Sequence, residues 1–400
     1  MDSDLGAFSK ELNEQLLEYR RYFHRNPELG FSEYKTSAYL REVLQNLNLE
    51  VKSGIAGTGV TALLEGTSPG PTIALRADMD ALPIQEQTEL DFASENPGVM
   101  HACGHDAHMA MVLGAAHLLK KAQKELPGKV KFIFQPCEET PPGGALALIE
   151  EGVLKNPDVD AILGAHVSPE LNAGTIGLKH GITMAAADMF EIIITGEGGH
   201  GSSPHLTRDP IAVAAEAVLA LQQIISRRVN PLEAAVISIG SIQAGEKANV
   251  IPDAVVLRGT TRSLNPDLRK WLAKEIKKVL QGVCEAHGVD FEIDYQWGYP
   301  PVVNNRGMTE LLEKAAVQEL GSPQKIVKLH QPSMGGEDFA YYSKIIPAAY
   351  FYVGVASEDK RNFYPWHHSR FDIEENALLV GARVMAAAVK TYLEQAKTEK

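Results

Sequence analysis

The sequence predicts an α/β fold, with a mixed, largely parallel sheet between flanking helices, carrying a smaller inserted α+β domain. Three observations predict it. Short apolar runs recur and each ends on carboxylates or a histidine: "PTIALRADMD", "GKVKFIFQPCEE" and "DAILGAHV". Between the first two lies "AHMAMVLGAAHLLKKAQKE", long and apolar enough to be a buried helix. Residues 185–298 then read as β-α-β-β-α-β. Alternation of strand and helix implies a parallel layer, whose sites lie beyond the carboxyl ends of its strands.

Taken in order, Leu12, Leu16, Leu17 and Phe23 fall near helical spacing, so a helix opens the chain and stops before Pro27. Ile73 to Leu75 form an apolar run leading to Asp78 and Asp80, ahead of Pro83. Val130, Phe132 and Phe134 alternate before Glu138 and Glu139, and a third apolar strand arrives at His166. In the middle, "ADMFEIIITGEGG" is strand-like; Asp209 caps a helix that Pro210 opens. "AAVISIGSIQ" and "IPDAVVLRGTTR" read as strands, and a second helix runs from Asn265-Pro266 to Gly288. "VDFEIDYQW" alternates strictly, placing Val289, Phe291, Ile293, Tyr295 and Trp297 on one face. That order is a ferredoxin-like split βαβ unit. The expected division is therefore 1–184, an insert over 185–298, and 299–400 returning to the first domain.

At 400 residues the chain exceeds one ordinary core. Its 38 basic and 51 acidic side chains give a formal charge of −13, which argues against nucleic-acid and anionic-membrane partners, since both need a basic footprint. No secretory leader and no apolar run of about 18 residues is visible, so a cytoplasmic protein is expected. Cys103, Cys137 and Cys284 are an odd, widely spaced set, poor material for a disulfide framework and suited to a reducing compartment.

The stretch "MHACGHDAH" concentrates imidazole, thiol and carboxylate, the donors that borderline metals prefer. Donors at strand ends and nearby loops are Asp78, Asp80, Cys103, His105, His108, Glu138, Glu139, His166, His367 and His368. They suffice for two metal ions and leave one carboxylate as base. Adjacent Glu138 and Glu139 point in different directions, so one can ligate while the other takes a proton from water. His24, His108, His117 and Cys284 read as structural, and Asp78 and Asp80 as carboxylates that orient a ligand histidine.

In order along the chain, "RRYFHRNPELGFSE", "ALRADMDALP", "GVMHACGHDAHMAMVLGAA", "FIFQPCEE", "GAHV", "GGHGSSPH", "MGGEDFAYY" and "WHHSRFD" resemble the M20 metallopeptidase and amidohydrolase superfamily. The branch resembled contains hippurate hydrolases and N-acyl-L-amino acid amidohydrolases. The resemblance implies a zinc-exopeptidase-like catalytic domain and a dimerisation (lid) insert. It implies Cys103, His105, Glu139, His166 and His367 as ligands of two divalent ions per subunit (zinc, manganese, cobalt or nickel), and Glu138 as general base and acid. His367 is preferred to His368 because the family's ligand lies four residues before the phenylalanine, here Phe371. His200 resembles the histidine that crosses to a partner subunit's site and holds the substrate carbonyl. Asn249, Arg262 and the Gly335-Gly336 turn resemble substrate-binding positions. Cys137 stands where the family commonly has alanine; it is either packing or an added soft donor.

The function expected from this is metal-dependent hydrolysis, by activated water, of the amide of N-acetyl, N-benzoyl or similar N-acyl-L-amino acids, in a homodimer acting on small molecules. The alternatives are a metallo-carboxypeptidase or dipeptidase using the same site, and, ranked lower, a metal-dependent binding protein without turnover.

Overall fold

The computed structural model describes residues 2–357 and 364–398. From the start of the chain, helices α1 (Asp2–Arg25) and α2 (Tyr34–Asn46) precede strands β1 (Glu50–Ile55), β2 (Gly59–Glu65) and β3 (Ser68–Asp78). Then come α3 (His105–Lys121), β4 (Pro127–Gln135), α4 (Gly144–Glu150), β5 (Ala161–Asn172), β6 (Ile176–Leu178) and β7 (Gly181–Met184). The middle holds β8 (Ala186–Thr195), β9 (Gly199–His200), α5 (Pro210–Gln223), β10 (Ala235–Ala244), β11 (Val250–Ile251), β12 (Ala254–Ser263), α6 (Pro266–His287) and β13 (Asp290–Tyr299). The chain closes with β14 (Val302–Asn304), α7 (Arg306–Leu320), β15 (Ile326–Lys328), α8 (Ala340–Ser343), β16 (Ala348–Ala356) and α9 (Ala377–Thr398).

Two compact units result: Met1–Thr183 with Val302–Pro332 and Asp338–Lys400, and Met184–Pro301 with Ser333–Glu337. The expected division put 299–400 in the first domain; Ser333–Glu337 instead group with the second unit, because Ala185 donates its N–H to the carbonyls of Ser333 (3.0 Å) and Gly335 (3.1 Å).

The first unit is built on an eight-stranded sheet of order β1-β2-β4-β3-β5-β16-β6-β15. Its centre, β4-β3-β5-β16, is parallel, while β1, β2 and the β16–β6 pair are antiparallel. Strands buried on both faces read as continuous apolar runs, which is why β3 and β4 carry no clean alternation at their ends. Helix α3 is buried around most of its circumference, in keeping with its composition, and packs against α1 and α9. The register sets the site: Asp78 lies opposite Gln135, and Arg76 opposite Gly164, two residues before His166.

The second unit has a four-stranded antiparallel sheet, β10-β12-β8-β13, the strand order of a ferredoxin-like unit. Phe190, Ile192, Ile194, Val255 and Leu257 pack from one sheet face against Leu221 of α5 and Leu272, Ile276 and Leu280 of α6, with Cys284 among them. Asp209 caps α5 by accepting the Ile211 N–H, and Asn265 caps α6. Trp297 departs from the expected alternation. The β13–β8 register shifts between Gln296 and Tyr299, so Trp297 leaves the apolar face, is 51% exposed, and lies under the Arg269 guanidinium, 5.2 Å from the ring centre. No helix among the described residues is long and apolar enough to cross a membrane.

His24 has the expected structural role. It joins α1 to α3, with Nδ1 2.7 Å from Asp106 and Nε2 3.2 Å from Glu86. Burial opposes its charge, but the bonds to Asp106 and Glu86 prevail and raise its pKa from 6.5 to about 9. A raised folded-state pKa stabilises fully below the unfolded value and is lost as pH rises through the folded one. The stability gap between wild type and His24→Gln should therefore shrink by on the order of 3 kcal/mol from below pH 6.5 to above about 9, read by urea unfolding at each pH.

Candidate metal centre

The strand ends of the first unit deliver a compact set of donors. Cys103 and His105 flank Gly104, whose φ of +83° is open to glycine and whose Cβ, if present, would lie 2.4 Å from the Val167 side chain. The chain thus turns sharply into α3 and presents both side chains on one side of the turn. His367 joins them because its own N–H donates to the Ala102 carbonyl at 2.9 Å, in a backbone of φ +64°.

Three overlapping groups of donor atoms, each within 4.8 Å of one another, are Cys103–His105–His166, Cys103–Glu139–His367 and His105–Glu138–Glu139. All five expected ligands and Glu138 therefore gather in one cluster. His166 donates Nδ1–H to the Val167 carbonyl at 2.8 Å, so Nε2, 3.4 Å from Cys103 Sγ, is the atom it can offer a metal. His105 turns Nδ1 to Asp80 Oδ1 at 3.3 Å, and its Nε2 lies 3.9 Å from Glu139. A carboxylate behind a ligand imidazole fixes its tautomer and orientation. Asp80 also accepts the Glu139 N–H at 3.0 Å, so one side chain positions two donors.

His108 forms a further donor group with Asp78 and His105, but its nitrogens already have partners. Its Nε2 accepts the Val167 N–H at 2.9 Å and its Nδ1 donates to Asp78 at 2.6 Å, so both nitrogens are committed. Asp78 accordingly orients His108 and lies 3.8 Å from His105, a correction to its expected role behind a ligand histidine. His368 turns elsewhere: its ring stacks on Tyr364, and Nδ1 accepts the Arg370 N–H. His117 pairs with the Tyr19 hydroxyl. Cys137 packs beneath Gly30 and falls in none of the donor groups among the described residues.

Arg76 and Trp366 were not singled out from sequence. Arg76, fully buried, donates to Asp78 (2.6 Å), Gln135 (2.9 Å) and Asp338 (2.8 Å). A lone arginine inside an apolar strand is a readable sign of a buried charge partner. Trp366 donates Nε1–H to the Val167 carbonyl and meets the His166 ring edge-on.

The electrostatics fit a divalent cation. Burial, then Glu139 and Glu138, push the Cys103 thiol well above its ordinary pKa. Burial opposes charge on His105, yet Asp78 and Asp80 outweigh it and raise the imidazole to about 10. Burial, reinforced by His108, holds His166 well below its usual value and hence neutral. Nearby buried carboxylates contribute to both of the first two shifts, adding to burial at Cys103 and overcoming it at His105, and both ring nitrogens of His105 lack a well-formed hydrogen bond. A cation supplies both the missing charge and the missing partner.

The substrate-binding candidates lie on the second unit. His200 accepts the Ser202 N–H at Nδ1 (3.1 Å), which places the proton on an exposed Nε2. Val250, next to Asn249, pairs with His200, and the Asn249 carbonyl accepts the Gly201 N–H. Arg262 lies opposite Ala187 in the β12–β8 register, and Gly336 packs on that same Ala187. The Gly335 N–H is already given to Ser333 Oγ at 3.0 Å.

Residues 74–391 match peptidase family M20/M25/M40. The chain is 39% identical over 389 residues to the N-acetyl-L-cysteine deacetylase of Bacillus subtilis, covering 97% of this chain and 91% of that one. It is 39% identical over 376 residues to thermostable carboxypeptidase 1 of Saccharolobus solfataricus, covering 93% and 94%. A crystal structure of a dinuclear metal-binding peptidase from Bacillus subtilis superposes with a TM-score of 0.82 at 38% identity, over 96% of this chain and 99% of that one.

His367→Ala should lower divalent-metal affinity by at least about tenfold, whereas His368→Ala should retain the wild-type metal content after dialysis, read by elemental analysis. Equal loss in both variants would reverse that assignment.

Proposed function

We propose, for a chain that belongs to peptidase family M20/M25/M40 and is a metal-dependent hydrolase, that its reaction is hydrolysis of the amide of N-acyl-L-amino acids. The observation that carries this is a convergent donor set, buried except at His367, beside a further buried carboxylate: Glu138 lies in the group formed with His105 and Glu139. We assign Cys103, His105, Glu139, His166 and His367 to two divalent ions, with Cys103 common to both ligand groups. Zinc suits the thiolate, while manganese, cobalt and nickel suit the imidazoles and carboxylate. When bound, such ions supply Lewis acidity toward a carbonyl and ease the ionisation of water.

The side chains do the rest. Glu138 takes a proton from the attacking water and returns it to the leaving amine. His200, with its proton on Nε2, donates to the carbonyl oxygen as charge develops there. Arg262 offers a bidentate partner for the free carboxylate of the amino-acid half, and Asn249 and the Gly335-Gly336 turn are further substrate contacts in this reading. A carboxypeptidase or dipeptidase would use the same groups, and the likeness to a carboxypeptidase keeps that reading second.

The protein acts as a homodimer in this account, with His200 serving the partner's site. Support comes from β10, an edge strand of the four-stranded sheet whose backbone is available to a second copy, and from Ile242 on it, 58% exposed. Leu219 on α5 is 68% exposed.

Glu138→Gln should keep its metal and lose about 10²–10⁴-fold in kcat. Retention of most kcat would remove Glu138 from the chemistry. Neither His200→Ala nor Glu138→Gln alone should turn over well, but mixed and reannealed subunits should regain roughly a quarter of wild-type activity, since half the dimers then hold one intact site. An active monomer in ultracentrifugation, or no recovery on mixing, would contradict the shared site.

A further inference from the structure

The loop that carries Glu138 and Glu139 leaves β4 at Gln135 and enters α4 at Gly144, and both of its ends meet one buried side chain. That side chain is Asp338, from the stretch "MGGEDFAYY", and water does not reach it. At the incoming end Gln135 Nε2 lies 2.8 and 2.7 Å from its two carboxylate oxygens. At the outgoing end the Ala145 N–H donates to Oδ2 at 2.9 Å, and Gly143 passes so close that a Cβ there would sit 2.3 Å from the same oxygen. Arg76 supplies the countercharge at 2.8 Å and ties the assembly to Asp78 and to Gln135 Oε1.

Between those ends the loop also closes on itself. The Gly144 N–H donates to the Cys137 carbonyl at 2.8 Å, and the Gly143 N–H to the Thr140 carbonyl at 3.0 Å. The carboxylates of Asp338 and Glu138 come within 4.8 Å of each other, so the fastening lies beside the proposed base. Arg76, Gln135 and Ala145 all donate to Asp338, and a carboxylate, which only accepts, suits them. An amide of the same shape would turn N–H groups against N–H donors. The fastening therefore depends on which partner donates, not on shape alone.

We infer that Asp338 is a positioning residue: by clasping both ends of the 136–144 loop it fixes where Glu138 and Glu139 stand, and through them both metal affinity and turnover. The turnover half rests on the amidohydrolase reading, whereas the metal half needs no substrate.

The test measures zinc affinity, by competition with a chromophoric chelator, and kcat and KM for N-acetyl-L-methionine in the metal-loaded enzyme. Asp338→Asn and Gln135→Glu should each weaken zinc binding and lower kcat by about tenfold or more, with KM little changed. The double variant reverses the pair: the amide of residue 338 now donates to a carboxylate at 135, while its carbonyl accepts from Arg76 and Ala145. It should regain most of both losses, which simple loss of packing would not allow. Folded Asp338→Asn with wild-type zinc affinity and kcat, lowered only in its urea midpoint, overturns the assignment, as does a double variant no better than the single ones. If Asp338→Asn does not fold, Gly143→Ala, which keeps every charge and crowds Asp338, decides: weakened zinc binding supports the clasp and wild-type affinity overturns it. A wild type that releases no methionine counts against the amidohydrolase reading, and the zinc affinities still decide the clasp.

Discussion

Burial of negative charge at the carboxyl ends of the central strands is the constraint on which the rest of the first unit depends. Asp78, Asp80 and Glu138 are nearly inaccessible to water, with Glu139 and the Cys103 thiol against them. Buried carboxylates persist only when paired and hydrogen-bonded. Arg76 answers part of the charge by bridging Asp78 and Asp338, and Asp338 in turn accepts the Ala145 N–H at the start of α4. The remainder falls on the histidines and on whatever cation they hold, so the sheet and its metal chemistry are one electrostatic problem.

The same arrangement separates donors that look alike by type. His105, His108 and His166 lie with ring centres 4.5–6.1 Å apart, yet their outer partners give them different work. Val167 decides two of them, giving its N–H to His108 and its carbonyl to His166. Asp80 decides the third. A backbone group on β5 thus settles which imidazole is structural and which can coordinate.

Much of this was legible in the chain. Apolar runs ending in acidic residues locate strand ends, Asp209-Pro210 and Asn265-Pro266 announce helix starts, and the β-α-β-β-α-β order leads to the observed strand sequence of the second sheet. What was not legible depends on contacts between distant segments. The role of Asp78 follows from a hydrogen bond to His108 made across the sheet end, and Trp297 leaves its face because of a register shift that alternation alone does not encode. The grouping of Ser333–Glu337 with the second unit rests on backbone bonds to Ala185, for which no side-chain pattern exists. Sequence separates His367 from His368 only through resemblance; in space it is His367, held by one backbone bond to Ala102, that groups with Cys103 and Glu139.

Activation of water against an acyl amide is the work proposed for the donor cluster. Protein stripped with chelator and reloaded separately with zinc, manganese, cobalt and nickel should be assayed for amine release from N-acyl amino acids and dipeptides. Release should be abolished by stripping, restored by at least one metal, and faster on N-acyl amino acids than on dipeptides. Stoichiometric metal binding with no release from any of these amides would contradict it.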